Sequence, residues 1–129
     1  MSGNYLLDTS IIIDLFSGDQ QILAHIGEAR AVLIPSIAIG ELYYGALKSV
    51  RREENLNQIT QLIAENIIVG SDAITGRWFG VIKNDLRKTG RMIPENDIWI
   101  AAIALQYQLV VATRDKHFEA VVNLDVEMW

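Results

Sequence analysis

Four short apolar runs, Tyr5-Leu6-Leu7, Ala31-Val32-Leu33-Ile34, Ile67-Ile68-Val69 and Leu109-Val110-Val111-Ala112-Thr113, are separated by stretches of helical periodicity. That alternation limits the fold more than any other feature. Strands joined through helices pair in parallel by right-handed crossovers and need helices on both faces of the sheet. The expected fold is therefore α/β, a three-layer α/β/α sandwich with a central, mostly parallel sheet. A chain of 129 residues suits a single domain over 1–129, able to bury about two thirds of its unfolded surface.

The helices are read from their apolar spacing and their stops. Ser10 to Phe16 is a short helix closed at Ser17-Gly18, with Asp8 or Ser10 available to cap its start. A second covers Gln20 to Glu28. Pro35 stops the second strand, and Ser36 is placed to cap a helix from Ile37 to about Val50. Lys48 to Glu54 reads as a solvated helix end or turn, and a helix carrying Leu56, Ile59, Leu62 and Ile63 follows. Ala73 to Thr89 is helical up to Gly90. Asn96 or Asp97 opens a helix to Leu105 that is apolar all round and hence central. A short helix at Lys116 to Ala120 and an edge strand over Asp125 to Trp129 complete the chain. Trp78, Phe79, Trp99 and Tyr107 are expected in the core or in dimer contacts, Tyr43 and Tyr44 at an oligomer surface, and His25 and His117 in surface or turn positions.

Composition removes several kinds of chemistry. With no cysteine there are no disulfides, thiolate metal sites or cysteine nucleophiles, as suits a reducing cytoplasm. The two histidines are far apart and lack a zinc-ligand spacing. A net charge of −5 opposes a broad basic grip on nucleic acid, although cations gathered by acids reverse the local field. No segment reaches the roughly 18 apolar residues of a membrane span, so the expectation is a soluble, unprocessed protein.

The first and fourth strands run directly into acids, Asp8 and Asp115. Two helices carry an acid within their first turns, Glu41 and Asp97. In a parallel sheet, strand ends and the starts of following helices share one edge, where ligands collect. Four carboxylates brought there cannot all ionise without cations, because each charge raises the pKa of the next. Magnesium or manganese, with its preference for oxygen ligands, resolves that conflict.

The segments Leu6-Leu7-Asp8-Thr9-Ser10, Ser36 to Leu42, Asn96 to Ala102 and Val111 to Phe118 stand in the order found in PIN-domain ribonucleases. The chain resembles that family, and VapC toxins most of all. The resemblance implies a Mg/Mn-dependent endoribonuclease, the toxin of a toxin–antitoxin pair, cutting RNA with a metal-activated water. Carried over, Asp8, Glu41, Asp97 and Asp115 are the metal-binding and catalytic acids, with Asp115 at the family's most variable position. Thr9 or Ser10, Thr113 and Asn96 resemble supporting polar positions. Lys88, Arg91 and Arg114 are the available phosphate contacts. A homodimer and a cognate antitoxin protein are implied as well. One departure is Asn123, where similar chains often have glycine.

Blander readings stand beside these. Asp8 and Asp97 can be helix caps, Glu41 a salt-bridge partner and Asp115 a turn residue. An aspartyl-phosphate phosphatase also begins with a strand ending in Asp, but normally has a second Asp two residues on, where this chain has Ser10. An inert PIN-like dimer that only binds partners is the non-enzymatic alternative.

Overall fold

The computed structural model describes residues 3–129. Its sheet has the strands β1 (Asn4–Leu7), β2 (Ala31–Pro35), β3 (Ile67–Val69), β4 (Val110–Thr113) and β5 (Val126–Met128). Their spatial order is β3-β2-β1-β4-β5, and every pairing is parallel. Thus β1 lies in the centre, with Leu6 beside Leu33 on one side and Val111 on the other.

Side chains alternate across this sheet, and each face buries its own core. Leu6 and Val111 face the layer formed by α5 (Ala73–Thr89), α6 (Glu95–Tyr107) and a 3-10 helix over Lys116–Ala120. Tyr5, Leu7, Ile34 and Ala112 face α1 (Thr9–Phe16), α2 (Gln20–Glu28), α3 (Ser36–Leu47) and α4 (Arg52–Glu65). The expected three-layer sandwich is what the chain forms, with a sheet that is wholly parallel.

Helices α5 and α6 are joined by a short loop and pack antiparallel. Phe79 stacks on Trp99 with ring centroids 4.2 Å apart, and Thr75 bonds Gln106 near the other end of the pair. Gly90, at φ +69°, closes α5 in the left-handed conformation that glycine adopts without steric cost. The all-round apolar reading of α6 is correct: Ile98 and Ile100 to Ile103 are fully buried, so this helix forms the middle of its layer.

Several boundaries move. Helix α3 begins at Ser36 itself, with Pro35 in the cap position and no side-chain cap bond, and it stops at Leu47. Helix α4 starts at Arg52, inside the stretch read as a turn. Its first turns carry Glu53 and Glu54, which favour a helix N-terminus without adding an apolar signal. Tyr107 is exposed and does not join the core. His25 lies within α2, its ring stacked on Trp129 at 4.9 Å and 8°.

Candidate active site

Asp8 follows the last residue of the central strand and is only 5 % exposed. Its Oδ1 accepts the Thr9 N–H at 2.8 Å, while Oδ2 accepts Ser10 Oγ at 3.0 Å and Thr113 Oγ1 at 2.8 Å. Asp8 therefore does occupy the cap position of α1. Yet it bonds the first helical N–H and two hydroxyls, where an ordinary cap reaches the second or third N–H. Burial pushes its carboxyl above the usual range, opposed by bonds from Thr113, Ser10 and Thr9, and the Asp115 charge adds to the rise.

Thr113, at the end of β4, is fully buried and links two of the acids. Its Oγ1 donates to Asp8 and accepts the Asp115 backbone N–H at 2.9 Å. Asp115 in turn caps the 3-10 helix, its Oδ1 accepting the His117 N–H at 2.9 Å. Its free oxygen, Oδ2, faces His117 Nδ1 at 3.0 Å.

Asp97 does not cap α6, because Pro94 stands in that place. Its carboxylate points instead toward the other acids, with Oδ2 3.6 Å from His117 Nδ1. Burial is the largest influence on Asp97, followed by the charges of Asp8 and Asp115. His117 acts in the opposite sense and Glu41 adds a smaller rise, so the carboxyl is pushed up to about 6. Asp97 is thus within electrostatic reach of the other three sequence-predicted acids. Glu41 is anchored on α3 by Thr9, whose Oγ1 donates to Oε1 at 2.7 Å.

The hydroxyls divide clearly: Thr9 serves Glu41, Ser10 serves Asp8, and Thr113 joins Asp8 to Asp115. Ser10 also weakens the phosphatase reading, since it spends a donor on Asp8 and offers no acid. Asn96 is exposed and lines a cleft of about 580 Å³ with Thr9, Ile37, Glu41, Tyr44 and Lys48.

The basic residues are placed in several ways. Lys88 and Arg91 are exposed around the end of α5. The guanidinium of Arg114 is engaged elsewhere: Nη1 meets Asp14 and Asp19, each at 2.9 Å, and Nε donates to the Trp129 carbonyl at 2.6 Å. Arg114 is thus tied through Nε and Nη1 to Trp129, Asp14 and Asp19, which leaves only Nη2 for the phosphate contact expected of it. Lys48, read as a solvated helix end, reaches the cleft with Nζ 4.5 Å above the Tyr44 ring. His117, read as a surface residue, stands with Asp97 and Asp115, their ligating atoms all within 4.8 Å. The available signal was its position two residues after Asp115, at a strand-to-helix turn.

The donor set fits a hard divalent ion. Asp97 and Asp115 converge with His117, and Asp97, already raised by burial, also feels the charges of Asp8 and Glu41, while the ion pairs of Arg114, Lys83 and Arg51 lie with different acids. Oxygen-rich sites of this charge suit magnesium or manganese.

Comparison with known proteins places the chain in a family. The PIN domain family matches residues 5–124. Ribonuclease VapC2 of Haemophilus influenzae is 36 % identical over 128 residues, covering 97 % of both chains. Among solved structures, DNA-bound VapBC from Salmonella typhimurium superposes with a TM-score of 0.92 at 28 % identity, covering 100 % of this chain and 99 % of that one. VapBC-1 from nontypeable Haemophilus influenzae gives 0.89 at 30 % identity, covering 98 % of both chains. By the match of the family model over residues 5–124 and the likeness of relatives along nearly the whole chain, the chain belongs to the PIN-domain family, among the VapC ribonucleases.

Proposed function

We propose that this VapC ribonuclease is the toxin of a toxin–antitoxin pair, and that it hydrolyses RNA phosphodiester bonds internally with Mg2+ or Mn2+. Asp8, Asp97 and Asp115 hold the ion, and Glu41 orients the attacking water or shares a second ion. The observation that carries this reading is the close approach of Asp97 and Asp115, with His117, to within 4.8 Å at an edge where burial and then the charges of Asp8, Asp115 and Glu41 raise the Asp97 carboxyl to about 6. Bound there, a divalent ion supplies Lewis acidity toward a water and a phosphoryl oxygen.

The chain's own residues do the positioning. Thr113 and Ser10 fix Asp8 in one rotamer, and Thr9 does the same for Glu41. The cleft beside Glu41 accommodates an unpaired nucleotide: Lys48 meets a phosphate, Tyr44 offers a ring face for a base and Asn96 a hydrogen-bonding amide. Lys88 and Arg91 extend the phosphate path around the turn before α6. An exposed apolar surface at Ile13, Tyr44, Leu47 and Val50 suits protein partners, a second copy or an antitoxin. The solved relatives are VapBC toxin–antitoxin complexes, and a net charge of −5 favours a basic inhibitor segment. Among the described residues no helix is long and apolar enough to cross a membrane, and we assign the work to the cytoplasm, where RNA is met.

Cleavage of a structured RNA by purified protein tests the reading. Activity is expected with Mg2+ or Mn2+ and not in excess chelator, and Asp8→Asn or Asp97→Asn should each lower the rate at least about 100-fold while retaining the wild-type circular dichroism spectrum. Full-rate cleavage in chelator overturns the metal mechanism. Metal binding without cleavage of any RNA points to the inert partner-binding alternative.

A further inference from the structure

We infer that His117 is a direct ligand of the divalent ion, supplying one imidazole nitrogen to an otherwise all-oxygen site and biasing it toward Mn2+ over Mg2+. The inference rests on the metal-dependent reading above and adds a ligand beyond the four acids.

The observations concern placement. The His117 backbone N–H and its ring close on the same carboxylate: N–H to Oδ1 of Asp115 at 2.9 Å, and Nδ1 to Oδ2 at 3.0 Å. One turn of chain therefore fixes both groups, with Asp115 Oδ2 and the ring nitrogen turned toward the same space. Asp97 Oδ2, from a different element, is 3.6 Å from that nitrogen. Adjacent ligands of an octahedral ion with bonds near 2.1 Å lie about 3 Å apart. The ring nitrogen thus already stands from both carboxylates at about the spacing of neighbouring ligands. The ring is also accessible, with the side chain 52 % exposed, so an arriving ion does not have to displace packed core.

Chemistry then selects the ion. Mg2+ demands hard oxygen donors and gives up its waters reluctantly, whereas imidazole suits first-row transition ions. Three or four carboxylates and one imidazole form a set that Mn2+ accepts more readily than Mg2+.

Pulsed electron paramagnetic resonance of the Mn2+-loaded full chain tests the assignment. The chain has only two histidines, and the other, His25, is stacked on Trp129. Wild-type protein should show nitrogen-14 modulation from a directly bound imidazole, retained in His25→Gln and lost in His117→Asn. Calorimetric titration should give wild type at least about a tenfold preference for Mn2+ over Mg2+, reduced severalfold in His117→Asn. Bound Mn2+ without nitrogen modulation shows His117 to be only a hydrogen-bond partner of Asp115; this overturns the inference and leaves the metal-dependent reading intact. Failure of millimolar Mn2+ to bind overturns both.

Discussion

In the folded chain Asp97 holds its proton up to about pH 6, because burial and then Asp8 and Asp115 disfavour its charge. The unfolded chain releases that proton near pH 4. Between those values the folded state binds more protons than the unfolded one, so metal-free stability falls as pH rises and the loss is complete above about 6. Asp97→Asn removes the repelled charge while keeping the shape. Without metal at pH 7 it should raise the melting temperature by roughly 3 °C, and it should flatten the decline between pH 4 and 6. With metal added, the same variant should gain less than wild type. Thermal unfolding at several pH values, with and without Mn2+, measures both; a variant less stable than wild type in chelator contradicts the argument. Stability conceded at a working carboxylate is a familiar trade in enzymes.

At the scale of elements, the strand ends were legible because an apolar run that halts at an acid has few structural uses. Asp8 and Asp115 were read from that pattern, Glu41 and Asp97 from the first turns of two helices, and all four from resemblance to the family. The start of α4 was not legible, since Arg52, Glu53 and Glu54 carry no apolar period and their helix is imposed by Leu62 and Ile59 packing farther along. Nor could sequence show that Arg114 is occupied, because its partners Asp14 and Asp19 lie some hundred residues away. His117 and Lys48 escaped for a related reason: a single polar residue has no periodicity, and only the fold reveals what it faces. The turn into β5 shows the reverse case. Asn123 stands at φ +66°, which explains why glycine suits that position in similar chains. Asn123→Gly should be close to neutral, whereas Asn123→Ala should cost about 1 kcal/mol, as an ordinary side chain is forced into the left-handed region. Chemical denaturation of the two variants separates them, and equal midpoints would refute the account.

For the whole molecule, the acidic edge proposed to hold the ion exists only when the sheet is assembled. The acids come from the end of β1, from α3, from α6 and from the residues after β4, so an unfolded chain scatters them and offers divalent ions no comparable site. Mn2+ should then stabilise the fold by mass action, by about 2.7 kcal/mol at a hundred times its dissociation constant, and the melting temperature should climb with the logarithm of ion concentration. Differential scanning calorimetry across a Mn2+ series checks this, and a flat response counts against a preformed site. The same dependence appears in the buried bond between Thr113 and Asp8, which spans 105 residues of sequence. A chain still leaving the ribosome cannot make that bond until β4 has emerged and taken its place beside β1. Every shorter nascent chain therefore lacks Asp115 and the hydroxyl that orients Asp8. Assembly of the acidic edge is therefore a late event along the chain, because it waits for β4 and the residues that follow it.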